Sequence, residues 1–258
     1  MYPLPLRFLA RLDIKGPHVV KGLQMEGLRI VGAPADLATF YVQGGADELL
    51  YLDIVASLYD RVLDLTQMQH AIARAFLPVT AGGGLSTCEA IGQALREGAD
   101  KVALNTGVLA RPALLTEAAQ RFGSQALVLQ VDAKSRGTWY EVYTHGGRQP
   151  TGRDVREWLQ DARSLGAGEV LISAIDRDGM LTGPDLALAR LARGVLDDCP
   201  LLYSGGVRGP TDCLALARVP VEGIAIGAAL HADLCSLTQC KQALAPYDIP
   251  VRLETTYA

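Results

Sequence analysis

The sequence predicts a single (β/α)8 barrel, the TIM barrel fold, built from two similar halves. Three observations predict it. Eight short apolar runs of strand character alternate with helix-period segments. The chain repeats itself at about half its length. Its 258 residues, 49% apolar and 20% charged, run on without a linker or low-complexity tract, so 1–258 are expected to form one domain. Strand–helix alternation eight times over favours a closed barrel above an open doubly wound sheet.

The strand-like runs are 8–12, 48–54, 78–81, 101–104, 126–131, 169–175, 201–203 and 223–226. Helical patterns lie between most of them. Segment 153–165 sets Val155, Trp158, Leu159, Ala162 and Leu165 on one face, the stripe of a helix covering a sheet. Ser86 with Glu89 three positions on reads as a capping box opening another helix.

The repeat is ordered. Gly45-Ala46-Asp47-Glu48-Leu49-Leu50 recurs as Gly166-Ala167-Gly168-Glu169-Val170-Leu171. Leu12-Asp13-Ile14-Lys15 recurs as Val131-Asp132-Ala133-Lys134, and Gly83-Gly84 as Gly205-Gly206. Three matches in one order at nearly one spacing imply two equivalent half-barrels, since solenoid repeats are far shorter.

Bulk properties exclude several classes. Net charge is −4 and Lys and Arg are not clustered, so a nucleic-acid surface is not expected. No apolar run approaches the roughly 20 residues a membrane span needs. The segment from Met1 to Arg7 lacks the apolar stretch of a signal peptide. Cys88, Cys199, Cys213, Cys235 and Cys240 show no metal-ligand spacing and read as free thiols. A cytoplasmic enzyme with neither metal nor cofactor is expected.

Barrel enzymes act at the strand C-terminal face, and the repeat sets Asp13 and Asp132 on opposite sides of that mouth. Two carboxylates so placed can divide proton work, one as base and one as acid. Gly82-Gly83-Gly84 and Ser204-Gly205-Gly206 face each other likewise. Glycines at strand ends let backbone N–H groups approach a phosphate. Asn105-Thr106 and Gly227-Ala228 supply a second wall to each site. A substrate with a phosphate at each end fits this pairing. In Asp176-Arg177-Asp178-Gly179, the carboxylates suit either substrate hydroxyls or turn chemistry. Lys21 suits a phosphate or a solvated surface, and Asp53 a supporting partner or a strand end. At the opposite face Arg7, Glu48, Lys101 and Glu169 each begin a strand, two of each sign. Solvated strand ends are their plainer explanation, a closed ring of charges the other.

These residues carry a family resemblance. With Val19-Val20-Lys21-Gly22, Leu52-Asp53-Ile54, Gly98-Ala99-Asp100-Lys101-Val102 and Phe122-Gly123-Ser124-Gln125-Ala126, the chain resembles the cyclase subunit of imidazole glycerol phosphate synthase, from histidine biosynthesis, over nearly its whole length. The resemblance implies a glutaminase partner docked at the N-terminal barrel face and ammonia passing through the interior. At the mouth, ammonia would attack a bisphosphorylated ribulosyl-formimino-aminoimidazole-carboxamide ribotide, giving imidazole glycerol phosphate and a purine precursor. Asp13 and Asp132 would be the acid/base pair. Arg7, Glu48, Lys101 and Glu169 would form an ammonia gate.

The chain also departs from that family. Arg11 and Gln130 stand where small residues are usual. Each lies two positions before an aspartate, so strand alternation points it into the barrel beneath the mouth. Left unpaired there, each would cost on the order of 1–3 kcal/mol. Expected partners are each other, Asp13 or Asp53, and both Arg11 and Gln130 would narrow an ammonia route. Leu23-Gln24 replaces a Thr-Asn pair in the mouth loop, and Gly146 a serine. The segments Asp178-Gly179-Met180-Leu181-Thr182-Gly183-Pro184 and Ser204-Gly205-Gly206-Val207 are more similar to the sister isomerase, which performs an Amadori rearrangement with two aspartates. That isomerase, and an ammonia-delivering paralogue acting on surface-polysaccharide sugars, are the alternatives.

Overall fold

The computed structural model describes residues 4–253, so the first three residues of the N-terminal segment read above lie outside the described residues. Its strands are Arg7–Lys15 (β1), His18–Leu23 (β2), Glu26–Gly32 (β3), Glu48–Asp53 (β4), Val79–Gly82 (β5), Lys101–Leu104 (β6), Leu127–Ser135 (β7), Tyr140–Thr144 (β8), Gln149–Asp154 (β9), Glu169–Ala174 (β10), Leu201–Ser204 (β11) and Gly223–Ile226 (β12). β1, β4, β5, β6, β7, β10, β11 and β12 pair in parallel in that order. β12 returns to β1 through Arg7 opposite Gly223. The sheet therefore closes into the predicted eight-stranded barrel, with helices between strands on the outside.

Two layers of apolar side chains hold it together. The larger lies between barrel and helices and includes Phe8, Leu12, Trp158 and Tyr203. The smaller fills the barrel axis with Leu9, Leu50, Leu52, Ala103, Val128, Leu171, Leu202 and Ala225. Strand alternation sends one set outward and the other inward.

The expected helix at 153–165 runs Val155–Leu165, because Asp154 caps it by accepting from the Arg156 N–H while Arg153 and Asp154 still belong to β9. The capping residue at the helix Cys88–Arg96 is Thr87, whose hydroxyl accepts from Ala90 N, so the Ser86–Glu89 capping box is corrected by one position.

The mouth loop expected after β1 is a β-hairpin, β2–β3, and its repeat counterpart is a second hairpin, β8–β9. The first turns through Gln24 and Met25 at φ 50° and 64°. Both hairpins lean over the mouth, where Met25 packs with Tyr143 and Ile175. Repetition therefore extends to every strand: six in the first half (β1–β6) and six in the second (β7–β12), in the same order. Among the described residues no helix is long and apolar enough to cross a membrane.

Candidate active site

Asp13 and Asp132 emerge near the ends of β1 and β7, both buried, with backbone register tying Asp13 to Leu52 and Asp132 to Ser173. Each accepts from the residue two positions before it. Arg11 Nε lies 2.7 Å from Asp13 Oδ1, and Gln130 Nε2 lies 2.9 Å from Asp132 Oδ1. Period-two alternation puts each pair on the inner face of one strand, so these contacts follow from spacing alone. Arg11 then crosses the barrel, where its Nη1 donates to Ser173 Oγ at 3.2 Å and Ser204 Oγ at 3.0 Å. The expected Arg11 partnership with Asp13 is therefore found. Its hydrogen bonds do not include Gln130 or Asp53, whose side chains are engaged locally.

The two aspartates have unlike surroundings. Burial disfavours both carboxylates. At Asp13, Arg11 and the Lys21 ammonium, 2.6 Å from Oδ2, outweigh burial and hold the carboxyl well below its ordinary range. At Asp132 burial prevails over the Gln130 hydrogen bond and pushes the pKa up. Asn105 Nδ2 also donates to Asp132, at 2.8 Å. Lys21 bridges Asp13 to Asp178 at 2.8 Å; burial opposes its charge, and the two carboxylates more than compensate.

A cleft of about 350 Å³ opens on the β4–β7 side of the mouth. Arg11, Asp13, Asp53, Gly83, Gly84, Asn105, Thr106, Gln130, Asp132 and Asp178 all contribute to its wall. Gly84 sits at φ 65° with its missing Cβ pointing at Arg61 O, 2.0 Å away, so no other residue fits. Asn105 Oδ1 is buried and unpartnered here, while its amide nitrogen donates to Asp132 and to Tyr143 O; the oxygen is an acceptor for a ligand N–H or O–H.

On the opposite side Lys21, Asp178, Gly179, Ser204, Gly205, Gly206, Gly227 and Ala228 line a much narrower space, about 10 Å³, which Arg11 also reaches. The expected symmetry of the two glycine turns thus holds in position and fails in volume. Gly183 N donates to Gly206 O at 3.0 Å, folding the 178–184 segment down over this turn. Ser204 faces inward to Arg11.

Other expectations resolve differently. Asp176 serves the turn, its Oδ2 accepting from Ser135 N at 2.7 Å, and it lines neither space. Asp53 accepts from Val55 N and from Arg61. Gly146 has φ 64° and faces Ile54 O, which a Cβ would meet at 2.6 Å; the backbone excludes the expected serine. Arg61, His145 and Arg148 line the larger cleft and carried no sequence signal, because each lies in a loop without periodicity. Ser173 was legible in principle, as the polar residue two positions after inward-facing Leu171.

At the barrel floor the four charges form a closed ring rather than solvated ends. Arg7 bonds Glu48 and Glu169, and Lys101 lies 2.9 Å from Glu169 and 3.6 Å from Glu48. Both glutamates are buried. All five cysteines are free, and among the described residues no group of three or more His, Cys, Asp or Glu is arranged to hold a metal ion.

Comparison with known proteins gives the family of the chain. The family described as histidine biosynthesis protein matches residues 7–236. The imidazole glycerol phosphate synthase subunit HisF of Myxococcus xanthus is 43% identical over 242 residues, covering 90% of this chain and 95% of that one. That of Gluconacetobacter diazotrophicus is 43% identical over 96% of both chains. That of Pyrococcus furiosus is 38% identical over 97% of this chain and all of its own. The chain belongs to the histidine biosynthesis protein family and, within it, to the imidazole glycerol phosphate synthase HisF subunits.

Proposed function

We infer that this chain is the cyclase subunit of an imidazole glycerol phosphate synthase, using ammonia to convert phosphoribulosyl-formimino-aminoimidazole-carboxamide ribotide phosphate into imidazole glycerol phosphate and the aminoimidazole-carboxamide ribotide. The carrying observation is the pair Asp13 and Asp132, buried at one mouth with unlike surroundings, between two glycine turns. Attack by ammonia requires loss of a proton from nitrogen, and departure of the aminoimidazole nitrogen requires gain of one. Two carboxyl groups of opposite protonation serve those needs. The Gly83-Gly84 turn with Thr106 would hold one phosphate, and the Gly205-Gly206 turn with Ala228 the other. The Gly206 turn would have to open for its phosphate. Asn105 Oδ1 would accept from the substrate between them.

A glutaminase partner at the N-terminal face is part of this reading. Leu4 and Phe76, 85% and 73% exposed, each lie just before a barrel strand and so at the barrel end that carries the Arg7–Glu48–Lys101–Glu169 ring, where they would be available to a partner. The ring would gate ammonia into the barrel, and a cytoplasmic setting fits the kinship with biosynthetic enzyme subunits. The isomerase-like segments 178–184 and 204–207 stand in a chain whose relatives reported above are all HisF subunits, which favours the cyclase reading over the isomerase and polysaccharide-sugar roles.

The test is turnover. Purified chain, supplied with ammonium salt and the bisphosphorylated substrate, is expected to release imidazole glycerol phosphate without a partner. A folded chain that releases none would refute the reading.

A further inference from the structure

The two aspartates occupy repeat-equivalent positions, and the residues supporting them do not match. Arg11 and Gln130 are themselves repeat equivalents, each two positions before its aspartate, yet one is a cation and the other a neutral amide. Arg11 is 3% exposed, is fixed at both ends of its guanidinium, and borders both spaces at the mouth. Its Nε serves Asp13; its Nη1 is moored to Ser173 and Ser204, on β10 and β11.

We propose that Arg11 is a positioning residue that breaks the two-fold equivalence of the mouth, committing Asp13 to proton removal and leaving Asp132 to proton delivery. This rests on the cyclase reading above and deepens it.

The charged and titratable groups around each carboxyl carry the argument. Asp13 faces Arg11 on its own strand, Lys21 on β2, Asp178 beyond β10, His231 beyond β12, and Asp132 across the mouth. Two cations touch it directly. Asp132 faces Gln130 on its own strand, Asn105 beyond β6, Asp178, Asp13 and, at longer range, Arg11. Only neutral amides touch it directly, and two further carboxylates repel its charge. A carboxyl bonded to guanidinium and ammonium stays ionised, whereas one buried among amides and carboxylates keeps its proton to higher pH. Each species is the one its role requires.

The experiment compares ammonium-driven kcat against pH for the natural protein, Arg11→Gln and Arg11→Lys. Loss of an opposite charge at hydrogen-bond distance moves a carboxyl by about one pH unit or more. The natural protein is expected to keep its rate to the acid edge of its folded range. Arg11→Gln should show an acid limb about one unit or more higher, and Arg11→Lys should restore most of the natural profile. A purely structural role would lower rates of both variants equally at every pH. Coincident acid limbs in the natural protein and Arg11→Gln would overturn the proposal.

A substrate-free readout separates this from failure of the cyclase reading. The Asp13 carboxyl, labelled with carbon-13 and assigned through Asp13→Asn, should titrate at higher pH in Arg11→Gln than in the natural protein. Equal titration refutes the role of Arg11 even if turnover is normal. Absence of turnover in the natural protein refutes the reaction while the titration still decides the charge. Should Arg11→Gln not fold, Ser173→Ala with Ser204→Ala frees the guanidinium from its mooring, and the same upward shift is expected, smaller; no shift would count against the proposal.

Discussion

Arg11, Asp13, Gln130 and Asp132, on the inner face of the barrel, each find a partner, and the partner chosen decides what the mouth can do. Asp132 is the clearest case. Burial raises its pKa and the Gln130 amide opposes that rise. Gln130→Leu removes the opposing hydrogen bond, so Asp132 should hold its proton to still higher pH. If it is the acid, the alkaline limb of the kcat profile moves upward; a downward or absent shift would assign the proton elsewhere. Sequence alone showed that Arg11 and Gln130 needed partners and offered the right aspartate for Arg11, since period two puts residue i and i+2 on one face. It did not show the Ser173 and Ser204 contacts. Those lie 162 and 193 positions from Arg11, and only barrel closure brings them within reach.

At the scale of elements, the eight barrel strands were legible because apolar runs and their spacing specify them; two of them, 101–104 and 223–226, match at both ends, and no end is displaced by more than four residues. The two hairpins were not. β3 and β9 are mostly exposed and carry little apolar alternation, so nothing distinguished them from loop. Their turns are nonetheless demanding. Gly146 in the β8–β9 turn stands at φ 64° against Ile54 O. Gly146→Ser, the residue expected from the family, should therefore lower stability by about 1–3 kcal/mol through left-handed strain and the clash. Thermal melting checks this, and an unchanged or higher Tm would mean that the turn relaxes.

Over the whole molecule, the two-fold repeat organises the barrel while the chemistry depends on departures from it. The repeat was visible in three short matches, and the structure extends it to paired hairpins. The unequal volumes of the two mouth spaces were invisible, because side chains and loops distant in sequence, such as Arg11, Lys21 and Asp178, meet at the narrower one. Between floor and mouth lies the apolar layer of Leu9, Leu50, Leu171 and Leu202, an environment that disfavours an unpaired charge on the barrel axis. If the floor ring gates ammonia, Arg7→Ala should depress glutamine-driven turnover with a glutaminase partner while leaving ammonium-driven turnover largely intact; equal losses with both nitrogen sources would contradict a gate. The central claim is that one mouth with two unlike aspartates performs the cyclisation. Its most direct test is ammonium-driven release of imidazole glycerol phosphate by the natural protein, Asp13→Asn and Asp132→Asn, each with an unchanged circular dichroism spectrum. The account predicts turnover in the first and a loss of about 100-fold or more in each variant, the usual worth of a proton-transferring group. Near-natural rates in either variant would contradict it.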